Sequence, residues 1–135
     1  GTAEAQVEML QSLIARAGKQ WILAGDFNAL PPGVSAAGLT GQAAVEFPDV
    51  EAPSAVTPLF ASAQSLIPLS ELTDPHQRTK HFTLKYYGRP TPEVTCDFVF
   101  LAPGMWSVGE AVVARDPQWP SDHAPIVASL CPRTH

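Results

Sequence analysis

The spacing of apolar and polar positions predicts a helix followed by a short strand at the start of the chain. Residues 3–17 carry apolar side chains at helical spacing, with polar side chains off that face. Gly18 is a natural C-cap for this helix. Residues 20–24 are mostly apolar and end at turn-forming residues, a pattern typical of a strand buried on both faces. Helix, turn and buried strand together favour an α/β fold.

Apolar runs interrupted by Gly and Pro predict one more helix and then a β-rich segment. After Gly33, about two dozen residues with weak periodicity predict a long loop that is either functional or mobile. Pro58, at a first helical position, predicts a short helix over residues 58–66. Strands are expected over residues 81–87, 94–101, 105–114 and 124–130, with a hairpin joining the first two and a bulge at Gly109.

Composition narrows the class of protein. The 135 residues are enough for one domain with its own core, and no apolar run approaches the ~20 residues of a membrane span. The formal net charge is −5, with Lys and Arg scattered, so the chain lacks the electrostatic footprint of a nucleic-acid binder. Cys96 and Cys131 are too few for a disulfide framework.

The first candidate for chemistry is the run Gly-Asp-Phe-Asn that ends the predicted strand. Asp26 and Asn28 are two positions apart, so on extended backbone both side chains face the same side and can serve one site. There Asp26 would orient or deprotonate a water, and Asn28 would donate to a phosphate oxygen. The alternative is turn chemistry, because Gly, Asp, Asn and Pro are residues that commonly end strands. The run by itself leaves both interpretations open.

Two further carboxylates and an imidazole lie in the β-rich half. Asp97 interrupts an apolar strand, where a carboxylate is costly unless it is paired, and a His is the obvious partner. An edge strand that exposes Asp97 to water is the alternative. Asp122 and His123 suit a metal ligand beside an acid–base group, although a loop Asp with a partly exposed His is the simpler interpretation of that pair alone. The polar and aromatic cluster that begins at His81 is most simply strand packing.

In their order along the chain, Gly-Asp-Phe-Asn, the strand with Asp97 and Ser-Asp-His resemble the motifs of the endonuclease/exonuclease/phosphatase superfamily. That superfamily includes DNase I-like nucleases, sphingomyelinases and inositol-polyphosphate phosphatases. The resemblance spans about Glu4 to Leu130. It implies a four-layer α/β sandwich with mainly antiparallel mixed sheets and flanking helices. It also implies a hydrolase that uses Mg²⁺ or Mn²⁺ to cleave phosphate esters.

The resemblance further implies a role for each motif residue. Asp26 corresponds to the carboxylate that positions the attacking water, and Asn28 to the amide that contacts the scissile phosphate. Asp97 corresponds to the carboxylate that orients a catalytic histidine, here His123. Asp122 corresponds to a metal-site carboxylate.

Size separates this chain from the superfamily, whose domains are roughly twice as long. We therefore expect residues 1–135 to be the C-terminal portion of such a domain, with the N-terminal half apparently absent. Half a sandwich exposes a sheet face, which we expect to be covered by the missing half or by a second copy of the chain. The family's basic residue before Asp97 is replaced by Cys96, and Thr83 resembles a threonine on the preceding strand. If Asp97 contacts His123, Cys96 lies near that contact. Cys131 is eight residues beyond His123, roughly 26 Å away along an extended strand, so both thiols should be free.

Two functions from different classes follow. The first is divalent-metal-dependent hydrolysis of a phosphate ester in the complete protein, with the isolated chain expected to be inactive. The second is a non-catalytic binding or scaffold module that retains the fold. The acidic composition favours small phosphodiesters, phosphomonoesters or lipid headgroups over duplex DNA as the substrate.

Overall fold

The computed structural model describes residues 2–34, 54–85, 93–116 and 118–133. Within these residues the helices are α1 (Thr2–Arg16), α2 (Thr57–Ser62) and α3 (Leu69–Thr73), followed by a 3₁₀ helix at Arg78–His81. The strands are β1 (Ile22–Asp26), β2 (Gln64–Ser65), β3 (Asp97–Leu101), β4 (Trp106–Val113) and β5 (Ile126–Pro132). The part of the chain so described is therefore mixed α/β, as the sequence predicts.

The strands of the described residues form two small antiparallel sheets. One has the order β1-β3-β2, and the other pairs β4 with β5. The register of the second sheet shifts between Val108 and Ala111, which confirms the bulge expected at Gly109. Leu84 bridges Val94 in antiparallel fashion, so the predicted contact between these two segments forms. The turn expected between them, residues 88–92, lies outside the described residues.

Aromatic packing on one face of β3 holds the first sheet against the helices. Phe98 and Phe100 alternate with residues of the other face, and both rings contact the rings of Phe27 and Phe60. Phe100 is completely buried, and its centroid lies 5.0 Å from that of Phe60 in an edge-on arrangement. Val7 brings α1 into the same core.

The helix predicted over residues 3–17 forms as α1. Gly18 follows with φ = 88°, the left-handed conformation that ends helices and that glycine adopts without steric cost. The second predicted helix is shorter than expected: α2 ends at Ser62, because Gln64 and Ser65 pair with β3 as strand β2. The long loop expected after Gly33 lies outside the described residues from position 35 to position 53.

Two expectations about strands were wrong. β1 is not buried on both faces: it is an edge strand of its sheet, and Ile22 keeps 48% of its surface exposed. The strand expected over residues 81–87 does not form, because the chain completes a 3₁₀ turn at His81 and then makes only isolated bridges at Leu84. Tyr86 and Tyr87 lie outside the described residues.

Candidate active site

The register between β1 and β3 brings two carboxylates together. Asp26 is the last residue of β1, Asp97 is the first residue of β3, and the two are direct partners in the antiparallel ladder. Partner residues of an antiparallel pair project to the same face of the sheet. Both acids therefore lie at the same end and on the same face of the first sheet.

The imidazole of His123, on the loop that leads into β5, lies close to both acids. His123 Nδ1 lies 2.8 Å from Asp97 Oδ2, which is a hydrogen bond, and His123 Nε2 lies 3.9 Å from Asp26 Oδ2. Because an ionised carboxylate only accepts hydrogen bonds, Nδ1 carries the proton that Asp97 accepts. The Nε2 atom is thereby directed toward Asp26. The prediction that Asp97 pairs with a histidine is confirmed.

Electrostatics at this imidazole favour its protonated form. Partial burial opposes the charge, but the hydrogen bond and charge of Asp97 outweigh it, and the charges of Asp26 and Asp122 add to them. Together they raise the pKa of His123 above its ordinary value. The group is therefore suited to carry a proton near neutral pH.

Main-chain hydrogen bonds fix His123 relative to Asp97. The segment around Thr83 lies between the two, since the N–H of Thr83 donates to Val94 O and its carbonyl accepts from the N–H of Ala124 at 2.7 Å. Thr83 Oγ1, fully buried, also accepts from the N–H of Cys96 at 3.2 Å. From the sequence, Thr83 only resembles a threonine of the superfamily. In the structure it connects the segment that leads to Asp97 with the loop that carries His123.

Two further supports of the histidine were missed from the sequence. The indole N–H of Trp119 donates to the carbonyl of His123 at 2.9 Å, and the N–H of His123 donates to Ser121 Oγ at 3.1 Å. The second contact had a sequence signal, because a serine two residues before a turn position commonly accepts such a bond. The first joins residues four apart and carried no comparable pattern.

The Asp26–Asn28 run is a turn and also a part of the site. The N–H of Asn28 donates to Asp26 Oδ1 at 2.9 Å, and Asn28 adopts φ = 47°, which asparagine tolerates in such turns. The turn occupies one carboxylate oxygen of Asp26 and leaves Oδ2 facing His123. The turn interpretation is therefore confirmed. The expectation that Asn28 shares a face with Asp26 on extended backbone is wrong, because β1 ends at Asp26 and Asn28 is left-handed.

Asp122 lies beside this group but outside its contacts. Its side chain is exposed, and its carbonyl accepts from the N–H of Lys85 at 2.8 Å. Its charge contributes to the raised pKa of His123. The structure therefore brings together the side chains of Asp26, Asp97 and His123, with the Asp122 carboxylate near enough to act on the imidazole electrostatically.

One set of three donor atoms in the described residues is close enough to hold a metal ion. The ligand atoms of Cys96, Asp97 and His123 lie within 4.8 Å of one another. The set does not suit Mg²⁺, which prefers oxygen ligands. Burial, then the negative charges of Asp97 and Asp26, raises the pKa of the Cys96 thiol, so it stays protonated and lies 3.5 Å from Asp97 Oδ2 as a donor. Asp122 and Asp26 Oδ2 are oxygen donors of the kind that a hard cation prefers.

Both cysteines are free, as expected: Cys96 is buried and Cys131 is exposed. Among the described residues, none of the helices has the length and apolar character needed to cross a bilayer. Comparisons with protein-family models, with curated proteins and with solved structures give no match to this chain.

Proposed function

We propose that this chain carries the water-activating part of a metal-dependent phosphate-ester hydrolase of the endonuclease/exonuclease/phosphatase type. The observation that carries the proposal is the placement of one imidazole between two carboxylates. His123 is anchored to Asp97 through Nδ1 and presents Nε2 to Asp26. His123 Nε2 and Asp26 Oδ2 are therefore directed at the same small volume.

The distance between these two atoms suits a shared water. At 3.9 Å, His123 Nε2 and Asp26 Oδ2 are too far apart to bond directly, but one water oxygen can lie within hydrogen-bond distance of both. In the proposed reaction Asp26 orients this water and accepts its proton as the oxygen attacks phosphorus. The P–O bond to the ester alcohol breaks at the same time, and the alkoxide leaves and takes a proton from solvent water. Protonated His123 donates to a phosphate oxygen, where negative charge develops. Asn28, beside Asp26 on the turn, contacts the phosphate through its amide.

A hard divalent cation, Mg²⁺ or Mn²⁺, belongs to the proposal. Mg²⁺ is commonly held by only one or two carboxylates, together with water and substrate phosphate, and Asp122 is an exposed carboxylate beside the histidine. Asp122 would hold the ion together with water and the substrate phosphate. When bound, the metal supplies neutralisation of the phosphate charge.

The finer architecture, half of a four-layer sandwich, is also part of the proposal. β1 is an edge strand, and both Ile22 on β1 and Val127 on β5 expose about half of their surface, 48% and 53%. We propose that the N-terminal half of such a domain, or a second copy of this chain, covers these strands. Size-exclusion chromatography with light scattering should give a dimer for residues 1–135 alone. A compact, stable monomer would contradict this point.

The test of the reaction is hydrolysis of bis-p-nitrophenyl phosphate with Mg²⁺ and with EDTA, by the complete protein and by residues 1–135. In the complete protein, Asp26→Asn should lower kcat about 10²–10⁴-fold, because it removes a charged base while keeping the turn. Asp74→Asn is the matched control. Asp74 Oδ1 accepts from a backbone N–H two residues ahead, as Asp26 Oδ1 does, but lies in a different part of the fold.

The control variant should retain the parent rate. Equal rates for the two variants would remove the assigned role of Asp26. A complete protein with no Mg²⁺-dependent hydrolysis would favour the second function, a binding or scaffold module that keeps the fold without the reaction.

A further inference from the structure

Three donor atoms of different elements converge at the Asp97–His123 contact. Cys96 Sγ lies 3.5 Å from Asp97 Oδ2, and His123 Nδ1 lies 2.8 Å from the same oxygen. The ligand atoms of the three residues all lie within 4.8 Å of one another. Sulfur, imidazole nitrogen and carboxylate oxygen are the ligands that Zn²⁺ takes from proteins, whereas Mg²⁺ takes oxygen. The set therefore has the chemistry of a zinc site.

The spacing of these atoms suits a tetrahedral ion. With a Zn–S bond of about 2.3 Å and a Zn–O bond of about 2.0 Å, the two ligand atoms of a tetrahedral site lie about 3.5 Å apart. Cys96 Sγ and Asp97 Oδ2 already have that separation. Nitrogen and oxygen ligands of such an ion lie about 3.3 Å apart, so His123 Nδ1 must move away from Asp97 Oδ2 by about 0.5 Å. Small side-chain rotations are enough for a shift of this size.

The local charge also favours a cation. The negative charges of Asp97, Asp26 and Asp122 all act on the imidazole of His123. Those of Asp97 and Asp26 also act on the thiol of Cys96. The same carboxylates would attract a divalent cation held between the imidazole and the thiol. An ion at this position therefore gains from Asp26 and Asp122 without being ligated by them.

Solvent reaches the set from the side of the imidazole. The side chains of His123 and Asp97 are 33% and 18% exposed, whereas Cys96 is completely buried. An ion that has bound Asp97 Oδ2 needs no further path to the sulfur, because the thiol already donates its hydrogen bond to that oxygen. The ion takes the place of the thiol proton between the two atoms.

Protons now occupy the positions of the metal bonds. Burial raises the pKa of the Cys96 thiol, so the thiol is protonated. When the ion binds, this proton goes to the buffer and the sulfur ligates as thiolate. The Nδ1 proton of His123 goes to the buffer from a protonated ring, or is exchanged through water to Nε2 in a neutral ring. A cation that displaces the thiol proton must bind thiolate strongly, as Zn²⁺ does and Mg²⁺ does not.

We propose that Cys96 Sγ, Asp97 Oδ2 and His123 Nδ1 bind Zn²⁺, with a water as the fourth ligand. In this form metal bonds replace the hydrogen bond between Asp97 and His123. The site differs chemically from the Mg²⁺ or Mn²⁺ position proposed for hydrolysis, because two of its three protein donors are not oxygen. Its test measures binding and uses no hydrolysis, so either proposal can fail without the other.

The experiment titrates residues 1–135 with Co²⁺, a spectroscopic substitute for Zn²⁺, in the presence of a phosphine reductant that keeps the thiols reduced. Binding should produce a sulfur-to-cobalt charge-transfer absorption that saturates at one Co²⁺ per chain. Equimolar Zn²⁺ should abolish this absorption, because Zn²⁺ binds such sites more tightly than Co²⁺. About a hundredfold excess of Mg²⁺ should leave it unchanged. No charge-transfer absorption, or its loss on adding Mg²⁺, would overturn the proposal.

A pair of cysteine variants identifies the sulfur ligand. Cys96→Ala should lose the charge-transfer absorption. Cys131→Ala is the matched control and should keep it, because Cys131 is exposed and is not part of the three-residue set. Loss of the absorption in the Cys131 variant, or its persistence in the Cys96 variant, would contradict the assignment.

A pair of histidine variants keeps the test decisive if Cys96→Ala, a change at a buried position, does not fold. His123→Gln retains the thiol and should weaken Co²⁺ binding about 100-fold or more, since even the outer partners of metal ligands contribute about 10–100-fold in affinity. His76→Gln is the control, because His76 is exposed and its backbone N–H, not its ring, bonds Asp74. Equal affinities of the two variants for Co²⁺ would overturn the proposal.

Discussion

Replacing Asp97 by Asn tests the central contact of the candidate active site. The substitution removes the negative charge but keeps the shape and an oxygen that can accept from His123 Nδ1, 2.8 Å away. The hydrogen bond and charge of Asp97 are the first two influences that raise the pKa of His123 against its partial burial. Without that charge, the pKa of His123 should fall toward its ordinary value.

The loss of stability follows from the exposure of the two groups. Hydrogen bonds to charged partners contribute about 1.5–3 kcal/mol in favourable cases. Here the side chains of His123 and Asp97 are 33% and 18% exposed, so water weakens the pair. We therefore expect Asp97→Asn to lower the free energy of unfolding by about 1 kcal/mol at mildly acidic pH.

The sign of the pH dependence is fixed by linkage. A histidine whose pKa is raised in the folded state gives its full stabilisation below its unfolded pKa of about 6.5, and loses it as the pH rises through the folded value. The difference in the free energy of unfolding between parent and variant should thus be largest at about pH 6 and shrink toward about pH 9. Urea unfolding followed by tryptophan fluorescence measures the difference, and NMR titration of His123 measures the pKa. An unchanged pKa of His123 in the variant, or a stability difference that grows with pH, would refute the reasoning.

Three further predictions concern the frame that holds the site, each measured by urea unfolding. Phe100→Ala should cost about 4 kcal/mol, because the ring is wholly buried among other aromatic rings. Gly18→Ala should cost about 1 kcal/mol, since φ = 88° strains any side chain, whereas Gly25→Ala, where a Cβ also meets open space, should not. Thr83→Val should cost about 1–3 kcal/mol by orphaning the buried N–H of Cys96. Thr83→Ser keeps the oxygen and should recover most of this loss, and a Val variant as stable as the parent would deny the contact its role.

The pairing of Asp97 with His123 could be predicted because a carboxylate within an apolar strand needs a partner. The partnership of Asp26 with Asp97 could not, because it depends on the register of two strands that are 71 positions apart in the chain. The exposure of β1 was also beyond the sequence, since an apolar run reads the same whether or not other elements cover the faces of its strand. That distinction is set by tertiary packing, and four of the five β1 residues are exposed.

The 3₁₀ helix at residues 78–81 also depends on contacts that the local sequence does not predict. Its last residue, His81, is the first residue of the strand expected over residues 81–87, and the guanidinium of Arg115 donates to the carbonyl of Thr79 on the same turn. The Thr95 hydroxyl donates to the carbonyl of His81 at 2.8 Å. Both partners come from other parts of the chain, and they satisfy carbonyls of the 3₁₀ turn. Tertiary contacts therefore override the local pattern here.

The candidate site is formed by residues from both sheets. Asp26 and Asp97 come from the first sheet, and His123 comes from the loop that leads into β5 of the second. The Thr83–Lys85 segment joins them, because Leu84 bridges both Val94 and His123. A displacement of the second sheet therefore changes the distance from His123 to the carboxylates directly. The acid–base geometry is thus a property of sheet packing, and for that reason we expect substitutions in the joint to alter reactivity as well as stability.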